Sequence, residues 1–342
     1  MVGGGARRAT MHDVAARAGV SQSLVSIVMR DAPGAGAATR ERILRIADEL
    51  GYRPDTRARL LRRGNSRLLG VVFGVQHAFH GDLLAGLYRA AAPLDYQLTL
   101  SAVTADRGET AAITDLLGDR CEALLLLGTQ EPPAQLGRLA AIVPVVAVAR
   151  AVRHSDVDVV RTADAHGLAQ AVDHLVGLGH TRIAHIDGGR APGAAERRRG
   201  YRDAMTRHGL AGHIRVYPGG LTEDDGAGAA RTVLADGPPT AITVFNDRCA
   251  TGVLEIVRAA GFDVPGDISV IGYDDSHLAR ISFIDLTTIA QDVDRLAHLA
   301  VHRAVDRATG ADRDGPREQV ATPHLVVRST TGPPHAGRRP AD

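Results

Sequence analysis

Residues 21–27 combine the side-chain types that read DNA. Gln22, Ser23 and Ser26 are polar, and they lie on a predicted helix that follows a glycine turn. Such side chains can reach base edges in the major groove without steric obstruction. An ordinary polar helix face would have the same composition, so this pattern alone leaves DNA binding open.

Cations surround leucines in the polar stretch formed by residues 55–63. This stretch contains four arginines and three apolar residues, namely Arg57, Arg59, Arg62 and Arg63 with Ala58, Leu60 and Leu61. The guanidinium groups could neutralise phosphates, and an exposed leucine could insert into a minor-groove step. Two helical turns are too few for a stable isolated helix, so we expect a segment that folds only when docked. A solvated linker is the alternative interpretation.

The charge of the chain is unevenly distributed. Its 342 residues carry 40 basic and 39 acidic side chains, a net charge of +1, which argues against a protein that is basic throughout. Residues 1–67, however, hold 13 Arg against 6 Asp or Glu, a net charge of +7, which leaves −6 for the remainder. A basic head followed by a mildly acidic body indicates that the head binds a polyanion.

Three short helices are predicted to position these groups in the head. Thr10 supplies a capping hydroxyl for the first helix, and Ser21 can cap a second helix over residues 22–29. A third helix, near residues 37–50, has an apolar stripe at helical spacing, and Gly51 supplies its stop. This arrangement predicts a helix-turn-helix domain.

From residue 68 onward, apolar strands alternate with helical segments. The strands lack polar alternation, which is typical of parallel sheets covered on both faces. They cover residues 68–73, 97–102, 123–127, 145–148, 158–160, 183–187, 215–217, 241–245, 268–273, 287–290 and 325–328. Over a stretch of this length we expect two doubly wound lobes, which bind ligands at the carboxyl ends of their strands.

Other function classes lack their sequence signatures. An enzyme is the first alternative, but the sequence has no Gly-x-Gly-x-x-Gly fingerprint, P-loop, His-Glu-x-x-His or nucleophile elbow. The two cysteines, Cys121 and Cys249, form neither a disulfide framework nor a metal-ligand spacing, so we expect no metal and no cofactor. Because no export signal or bilayer-length apolar run is found, we expect a cytoplasmic protein without membrane contact.

Several motifs follow one another along residues 9 to about 330. In the head they are Thr10-Met-His-Asp-Val-Ala-Ala-Arg-Ala-Gly-Val-Ser21, Thr39-Arg-Glu-Arg-Ile43 and Glu49-Leu-Gly-Tyr-Arg-Pro54. In the body they are Pro144-Val-Val146, His174-Leu-Val-Gly-Leu-Gly-His180, Arg199-Gly-Tyr201, Phe245-Asn-Asp247, Asp267-Ile-Ser-Val-Ile-Gly-Tyr-Asp-Asp275, Leu286-Thr-Thr-Ile289 and Gln291-Asp292. Together they closely resemble the lactose-repressor (LacI/GalR) family of bacterial transcription regulators.

The resemblance implies an all-α helix-turn-helix DNA-binding head and an α/β two-lobed core like that of periplasmic binding proteins. It places the head at residues 9–53, a hinge helix and linker at 54–67 and the effector-binding core at 68–330. Lobe 1 would take about residues 68–162 and 292–322, and lobe 2 about 163–291 and 323–330. We expect residues 331–342 to form a disordered tail.

The resemblance also implies DNA-contacting residues. Gln22, Ser23 and Ile27 match base-reading positions, and Thr10, Ser21, Ser26 and Tyr52 match positions that contact the backbone. In the hinge, Leu61 matches the minor-groove wedge, with Arg57 and Ala58 beside it. Ile27 departs from the usual Arg or His and cannot donate to guanine, so we expect an apolar contact with a thymine methyl and an unusual operator.

In the core, Arg197, Asn246 and Asp274 match effector-contacting positions of the family. A guanidinium, an amide and a carboxylate suit a polyhydroxylated ligand such as a sugar. His77 and Phe79 follow the first core strand, where an aromatic ring could stack on a sugar or base. The alternatives are a solvated Arg197, loop caps at Asn246 and Asp274, and a Phe79 ring packed at a lobe edge. Where the family commonly has an Asp and an aromatic, this chain has Ala149 and Leu221, which argues against a conventional hexose effector.

These expectations describe a ligand-responsive transcription regulator, a repressor that binds a pseudo-palindromic operator as a homodimer. A small polar effector between the lobes would shift the population of the DNA-binding state. The sense of that response, induction or co-repression, does not follow from the sequence. A free sugar-binding protein of a transport system is the second alternative, and it would need an export signal and no DNA-binding head.

Overall fold

The computed structural model describes residues 9–52, 66–312 and 315–335. By its internal contacts the chain divides into two compact units, residues 1–66 and 67–342. The predicted hinge residues Arg57, Ala58 and Leu61 lie outside the described residues.

The head contains three helices, α1 (Met11–Ala18), α2 (Gln22–Met29) and α3 (Ala37–Glu49). Thr10 caps α1 in a capping box, and the Ser21 hydroxyl caps α2, as the sequence predicts. The apolar faces of the three helices form one small core of Val14, Ala15, Ala18, Val25, Val28, Ile43, Ile46 and Ala47. The predicted all-α head is therefore confirmed.

Lobe 1 of the core is built on a parallel sheet. Its strands are β1 (Leu68–Gly74), β2 (Gln97–Val103), β3 (Ala123–Leu127), β4 (Val145–Val148), β5 (Asp158–Thr162) and β11 (Glu318–Ala321). The strand order is β11-β5-β4-β3-β1-β2. Its helices are α4 (Ala78–Ala91), α5 (Glu109–Gly118), α6 (Pro133–Ala140) and α11 (Val293–Thr309). Successive residues of β1 point to opposite faces of the sheet. Leu69 and Val71 pack in one apolar cluster, and Leu68 and Val72 pack in a second, so both faces of the sheet are covered.

Lobe 2 has a second six-stranded sheet. Its strands are β6 (Ile183–Asp187), β7 (Arg215–Pro218), β8 (Ala241–Val244), β9 (Ser269–Asp274), β10 (Thr288–Ala290) and β12 (His324–Val326). Its helices are α7 (Asp164–Gly177), α8 (Ala194–Arg207), α9 (Glu223–Ala235) and α10 (Asp247–Ala259). The order is β12-β10-β9-β8-β6-β7, and all pairs are parallel except β10 with β12. The carboxyl ends of β6, β8 and β9 thus lie at one edge of the sheet.

Two features near the C-terminus differ from the sequence prediction. The edge strand β11 was not predicted, because only Ala321 of its four residues is buried and the segment has no apolar run. The predicted tail begins too early, since Gly332 accepts from His180 Nε2 at 2.9 Å and donates to Ser269 Oγ at 3.1 Å. Residues 331–335 therefore belong to lobe 2, held by buried polar groups that the tail composition does not reveal.

Helices α9 and α10 pack at unusually short range. A β-carbon on Gly226 would lie 1.9 Å from the backbone oxygen of Cys249, and one on Gly252 would lie 1.9 Å from that of Glu223. Only glycine allows two backbones to approach so closely. This crossing brings the start of α9 beside the start of α10, which the predicted site residue Asn246 caps.

No helix within the described residues is long and apolar enough to span a membrane.

Candidate functional site

Helix α2 presents the side chains predicted to read bases. Gln22 and Ser23 are exposed and Ser26 is half-buried, whereas Val25 and Val28 face the head core. Gln22 Nε2 lies 3.0 Å from His12 Nδ1 on α1, a contact that holds the amide in place. The polar face of α2 is therefore free to meet a partner, as a reading helix requires.

Ile27 is half-buried beside the loop that follows α2. Its methyl carbons lie 3.7 and 3.8 Å from the point where a β-carbon on Gly34 would lie, and Gly34 has a φ of +124°. Arg40 holds the same loop by donating to Asp31 Oδ1 at 2.7 Å and to the Ala32 carbonyl at 2.6 Å. The loop partly covers Ile27, and what remains exposed of this side chain is apolar.

Three further predicted DNA-contacting residues have structural roles in the head. Thr10 Oγ1 donates to Asp13 Oδ2 at 2.7 Å, and Ser21 Oγ accepts from the Leu24 N–H at 3.2 Å. Tyr52 packs against the head core. Their contacts with DNA stay predictions.

Arg197 is buried at the cleft edge of lobe 2, not solvated. Its Nε donates to Asp164 Oδ1 at 2.8 Å, its Nη1 donates to the Phe245 carbonyl at 2.6 Å, and its Nη2 lies 3.6 Å from Asp274 Oδ1. The guanidinium carbon also lies 3.5 Å from the centre of the Tyr273 ring. Burial lowers the pKa of Arg197, but Asp164 and Asp274 raise it above its usual range, so the cation is fixed.

Asp274 ends β9 in a strained backbone conformation, with a φ of +114°. Its Oδ1 accepts from Gln291 Nε2 at 2.8 Å. Burial raises the pKa of Asp274 to about 6, although Arg197 and Gln291 act in the opposite direction. The buried Asp247 nearby has its pKa raised to about 8, by burial and then by the charge of Asp274.

Asn246 uses its amide to cap α10. Its Oδ1 accepts from the Cys249 N–H at 2.7 Å, and its Nδ2 donates to the Leu221 carbonyl at 3.2 Å. The cap interpretation of Asn246 therefore holds, and one amide hydrogen is left for a ligand. Its role in effector binding stays a prediction.

The predicted stacking role of Phe79 needs correction. The Phe79 side chain packs into the apolar cluster of lobe 1 that contains Leu69, Val71 and Leu83. A ring enclosed by aliphatic side chains offers no open face for a sugar. His77, in contrast, is half-buried at the start of α4, where its ring stacks on that of His80 with centroids 4.5 Å apart.

Several polar residues at this site were not predicted from the sequence. Asp164 binds Arg197, and Gln291 joins Asp274 to Thr162 Oγ1, which lies 2.5 Å from Gln291 Oε1. Arg248 reaches from lobe 2 to the Gln76 carbonyl of lobe 1 at 2.8 Å. A capping pattern places Asn246 and Arg248 at the start of α10. The partners of these site residues, such as Gln76 for Arg248, are distant in sequence, so only the folded structure shows the contacts.

A large cavity lies elsewhere, at the opposite edge of the lobe 2 sheet. Its volume is about 1040 Å³, and it is lined by Arg182, Arg215, Tyr217, Phe262 and His335 among others. Arg182 directly precedes β6, Arg215 starts β7 and Phe262 precedes β9, so the cavity is separate from the carboxyl ends of the strands, near which Arg197 and Asp274 lie. Within the described residues no group of three or more His, Cys, Asp or Glu side chains could hold a metal ion.

Comparison with known proteins defines the family. Residues 10–55 match the model of bacterial regulatory proteins of the lacI family, and residues 172–331 match a periplasmic binding protein-like domain. The ribose operon repressor of Escherichia coli is 33% identical over 330 residues, which cover 94% of this chain and 99% of that protein. The chain belongs to the LacI family.

Solved structures agree with this assignment of the LacI-family chain. A LacI transcriptional regulator from a Rhodococcus species is 50% identical, with a TM-score of 0.76, and covers 78% of this chain and 100% of that one. The lac repressor dimer bound to operator and an anti-inducer is 29% identical, with a TM-score of 0.80, over 95% of this chain and 100% of that one. The predicted family, fold class and role in transcription regulation are thus confirmed, and the relatives are regulators, not enzymes.

Proposed function

We propose that this LacI-family chain is a repressor that binds a pseudo-palindromic operator as a homodimer and responds to a small polar effector between its lobes. The observation that best supports this proposal is the way the Arg197 guanidinium is held. Its guanidinium is held by Asp164 and the Phe245 carbonyl at the strand ends of lobe 2, and it keeps further N–H donors for a ligand. The effector class is a sugar or related polyhydroxylated metabolite, a proposal that the solved complex of the transcriptional regulator CelR with cellobiose supports.

The DNA-binding half of the proposal rests on the exposed polar face of α2 and on the basic stretch after Pro54. We propose that Gln22, Ser23 and Ile27 read base edges. The backbone contacts would come from Thr10, Ser21, Ser26 and Tyr52, with Arg57 and Ala58 in the hinge. Effector binding would change whether the paired hinges fold in the minor groove. A coupling of about 1–3 kcal/mol would change operator affinity about 5- to 150-fold.

Leu61→Ala is expected to weaken specific operator binding by about tenfold or more, a loss of about 1.4 kcal/mol or more. The wedge contact contributes only where the hinge docks in a deformable base step, so binding to random DNA should change little. The measurement is a pair of titrations at fixed salt, one with an operator selected from a random DNA library and one with a scrambled duplex. Leu60→Ala is the matched control. Equal losses on both duplexes would reject the wedge.

The homodimer is tested separately by sedimentation of the full chain at micromolar concentration, with and without the selected operator. A dimer that binds one two-fold symmetric site is expected. A monomer in both conditions would reject the two-half-site arrangement. A screen of sugars, sugar acids, nucleosides and polyols by thermal shift would identify the effector, since a ligand at 100 times its Kd adds about 2.7 kcal/mol of stability.

A further inference from the structure

Backbone N–H donors lie at the N-terminus of α4, which faces the cleft between the two lobes. This helix of 14 residues follows the carboxyl end of β1, and its N-cap, His77, makes no side-chain cap bond. The N–H groups of Ala78 and Phe79 have no hydrogen-bond acceptor among the described residues. Free N–H groups and the helix dipole together favour an anion at such a helix start.

His80 adds a buried donor at the same place. Its side chain is only 5% exposed, and its Nδ1 accepts from the Gly74 N–H at 3.1 Å. Burial, and then the charge of His77, lowers the pKa of His80 to about 3, so the ring is neutral and carries its proton on Nε2. This Nε2–H has no acceptor within the part of the chain that the structure describes.

The direction of His80 Nε2 is fixed by its neighbours. It lies 3.3 Å from the point that a β-carbon on Gly128 would occupy, and Pro192 Cγ lies 3.6 Å from that same point. Gly128 follows β3 in lobe 1, whereas Pro192 belongs to the loop between β6 and α8 in lobe 2. The unused N–H therefore lies between the two lobes.

Two arginines contact residues that adjoin the start of α4 and Gly128. Arg248 donates through Nη1 to the Gln76 carbonyl at 2.8 Å and through Nε to Glu223 Oε2 at 2.7 Å. Arg150 donates through Nη1 to the Thr129 carbonyl at 2.6 Å. The Nη2 groups of both arginines have no acceptor among the residues described here. The pKa of His77 is lowered by burial and then by Arg248 and Arg197, which agrees with a locally positive field.

Asp274 supplies acceptors at the end of β9. Its pKa is raised first by burial and also by the charges of Asp164 and of Asp82, which lies on α4, so the carboxylates and the start of this helix share one cleft. Carboxylates accept hydrogen bonds from hydroxyl groups. The cleft thus offers donors and cations at α4 and acceptors at β9, which suits a ligand that is anionic at one end and hydroxylated at the other.

We propose that the effector carries a carboxylate or phosphate group, bound at the N-terminus of α4 by His80 Nε2–H and the Arg248 guanidinium. Its hydroxyl groups face Asp274 and Arg197. The inference rests on the proposed function and narrows the effector from polyhydroxylated metabolites in general to acidic ones. The residues at this end donate hydrogen bonds and include a cationic guanidinium, so they bind an anionic acceptor more strongly than a neutral hydroxyl.

The test compares matched ligand pairs by calorimetric titration of the full chain. The pairs are gluconate with glucitol, glucose 6-phosphate with glucose, and ribose 5-phosphate with ribose, and inorganic phosphate is the minimal probe. In at least one pair the anionic member is expected to bind at least tenfold more tightly, and inorganic phosphate is expected to compete with it. The carboxylate and phosphate pairs distinguish the two anion types.

Arg248→Gln is expected to reduce affinity for the preferred anion about tenfold and to leave its neutral partner little changed. His80→Leu should do the same, and Arg248→Gln keeps the test valid if His80→Leu does not fold. The control is Arg207→Gln, because Arg207 is likewise an ion-paired arginine, on the far end of α8 beside Asp173. Equal binding of both members, equal losses for both in Arg248→Gln, or no binding by any probe would overturn the anionic subsite. A neutral sugar that binds and alters operator affinity would overturn it while leaving the proposed function intact.

Discussion

Arg197→Ala is expected to abolish the effector response and to destabilise the core by about 3–5 kcal/mol. The substitution leaves Asp164 buried without its ion-pair partner, and it removes the guanidinium from the Tyr273 ring. Removing one member of a buried pair costs far more than the pair itself contributes, because the remaining charge is uncompensated. Urea unfolding would measure the loss, and effector titrations with the folded variant would measure the response.

The loss in Arg197→Ala should depend on pH in a defined direction. Arg197 lowers the pKa values of both Asp164 and Asp274, so its removal raises them in the folded state. A carboxyl with a raised folded-state pKa binds more protons when folded, and its stability contribution is lost as pH rises. The variant should therefore lie closest to the wild type near pH 5 and furthest from it near pH 8.

Arg207→Ala is the control for this prediction, because Arg207 pairs with Asp173 at the surface. Such exposed pairs contribute about 0–1 kcal/mol. Operator affinity of Arg197→Ala, measured on the folded fraction, should remain near that of the wild type. An unchanged ligand titration in this variant would remove Arg197 from the effector site.

Gly252→Ala is expected to destabilise lobe 2 by about 3 kcal/mol or more. The new methyl group would lie 1.9 Å from the Glu223 carbonyl oxygen and 2.9 Å from the Ala227 nitrogen, both backbone atoms. Helix α10 must then move away from α9. Because Arg248 on α10 binds Glu223 on α9 at 2.7 Å, effector affinity should fall together with stability.

Gly228→Ala provides the matched control on α9. This glycine is exposed, and a β-carbon there would have no atom within 4 Å. Alanine in an open helical position reduces the entropy of the unfolded chain and stabilises by about 0.5–1 kcal/mol. Opposite signs of the two changes in unfolding free energy are expected. A Gly252→Ala variant as stable as the wild type would show that the two helices separate at little cost.

The sequence predicted local structure well where the signal was local. The caps at Thr10 and Ser21 and the continuous apolar strands of both lobes depend on neighbouring residues, and these predictions are confirmed. The edge strand β11 was missed, because it pairs with β5 along one side only and needs no apolar run.

The site was harder to predict, because its geometry depends on distant partners. Arg197 lies in a run of arginines that gives no sign of burial, yet Asp164 and Phe245 enclose it. Phe79 has the composition of a stacking residue, but the rotation of α4 directs it into the core of lobe 1. The role of His80 as a hydrogen-bond donor was not predicted from the sequence. It depends on the Gly74 N–H, which donates to Nδ1 and so leaves the proton on Nε2.

The return of the chain through both lobes has a consequence for biosynthesis. β11 completes the lobe 1 sheet and β12 completes the lobe 2 sheet, and both come from residues 318–326. While the ribosome is still translating, each sheet lacks an edge strand, and lobe 1 also lacks α11 until residue 309 has emerged. Neither lobe can mature ahead of the other as an independent nascent domain. A premature stop codon before residue 318 would therefore leave two unfinished lobes, not one intact lobe and one missing.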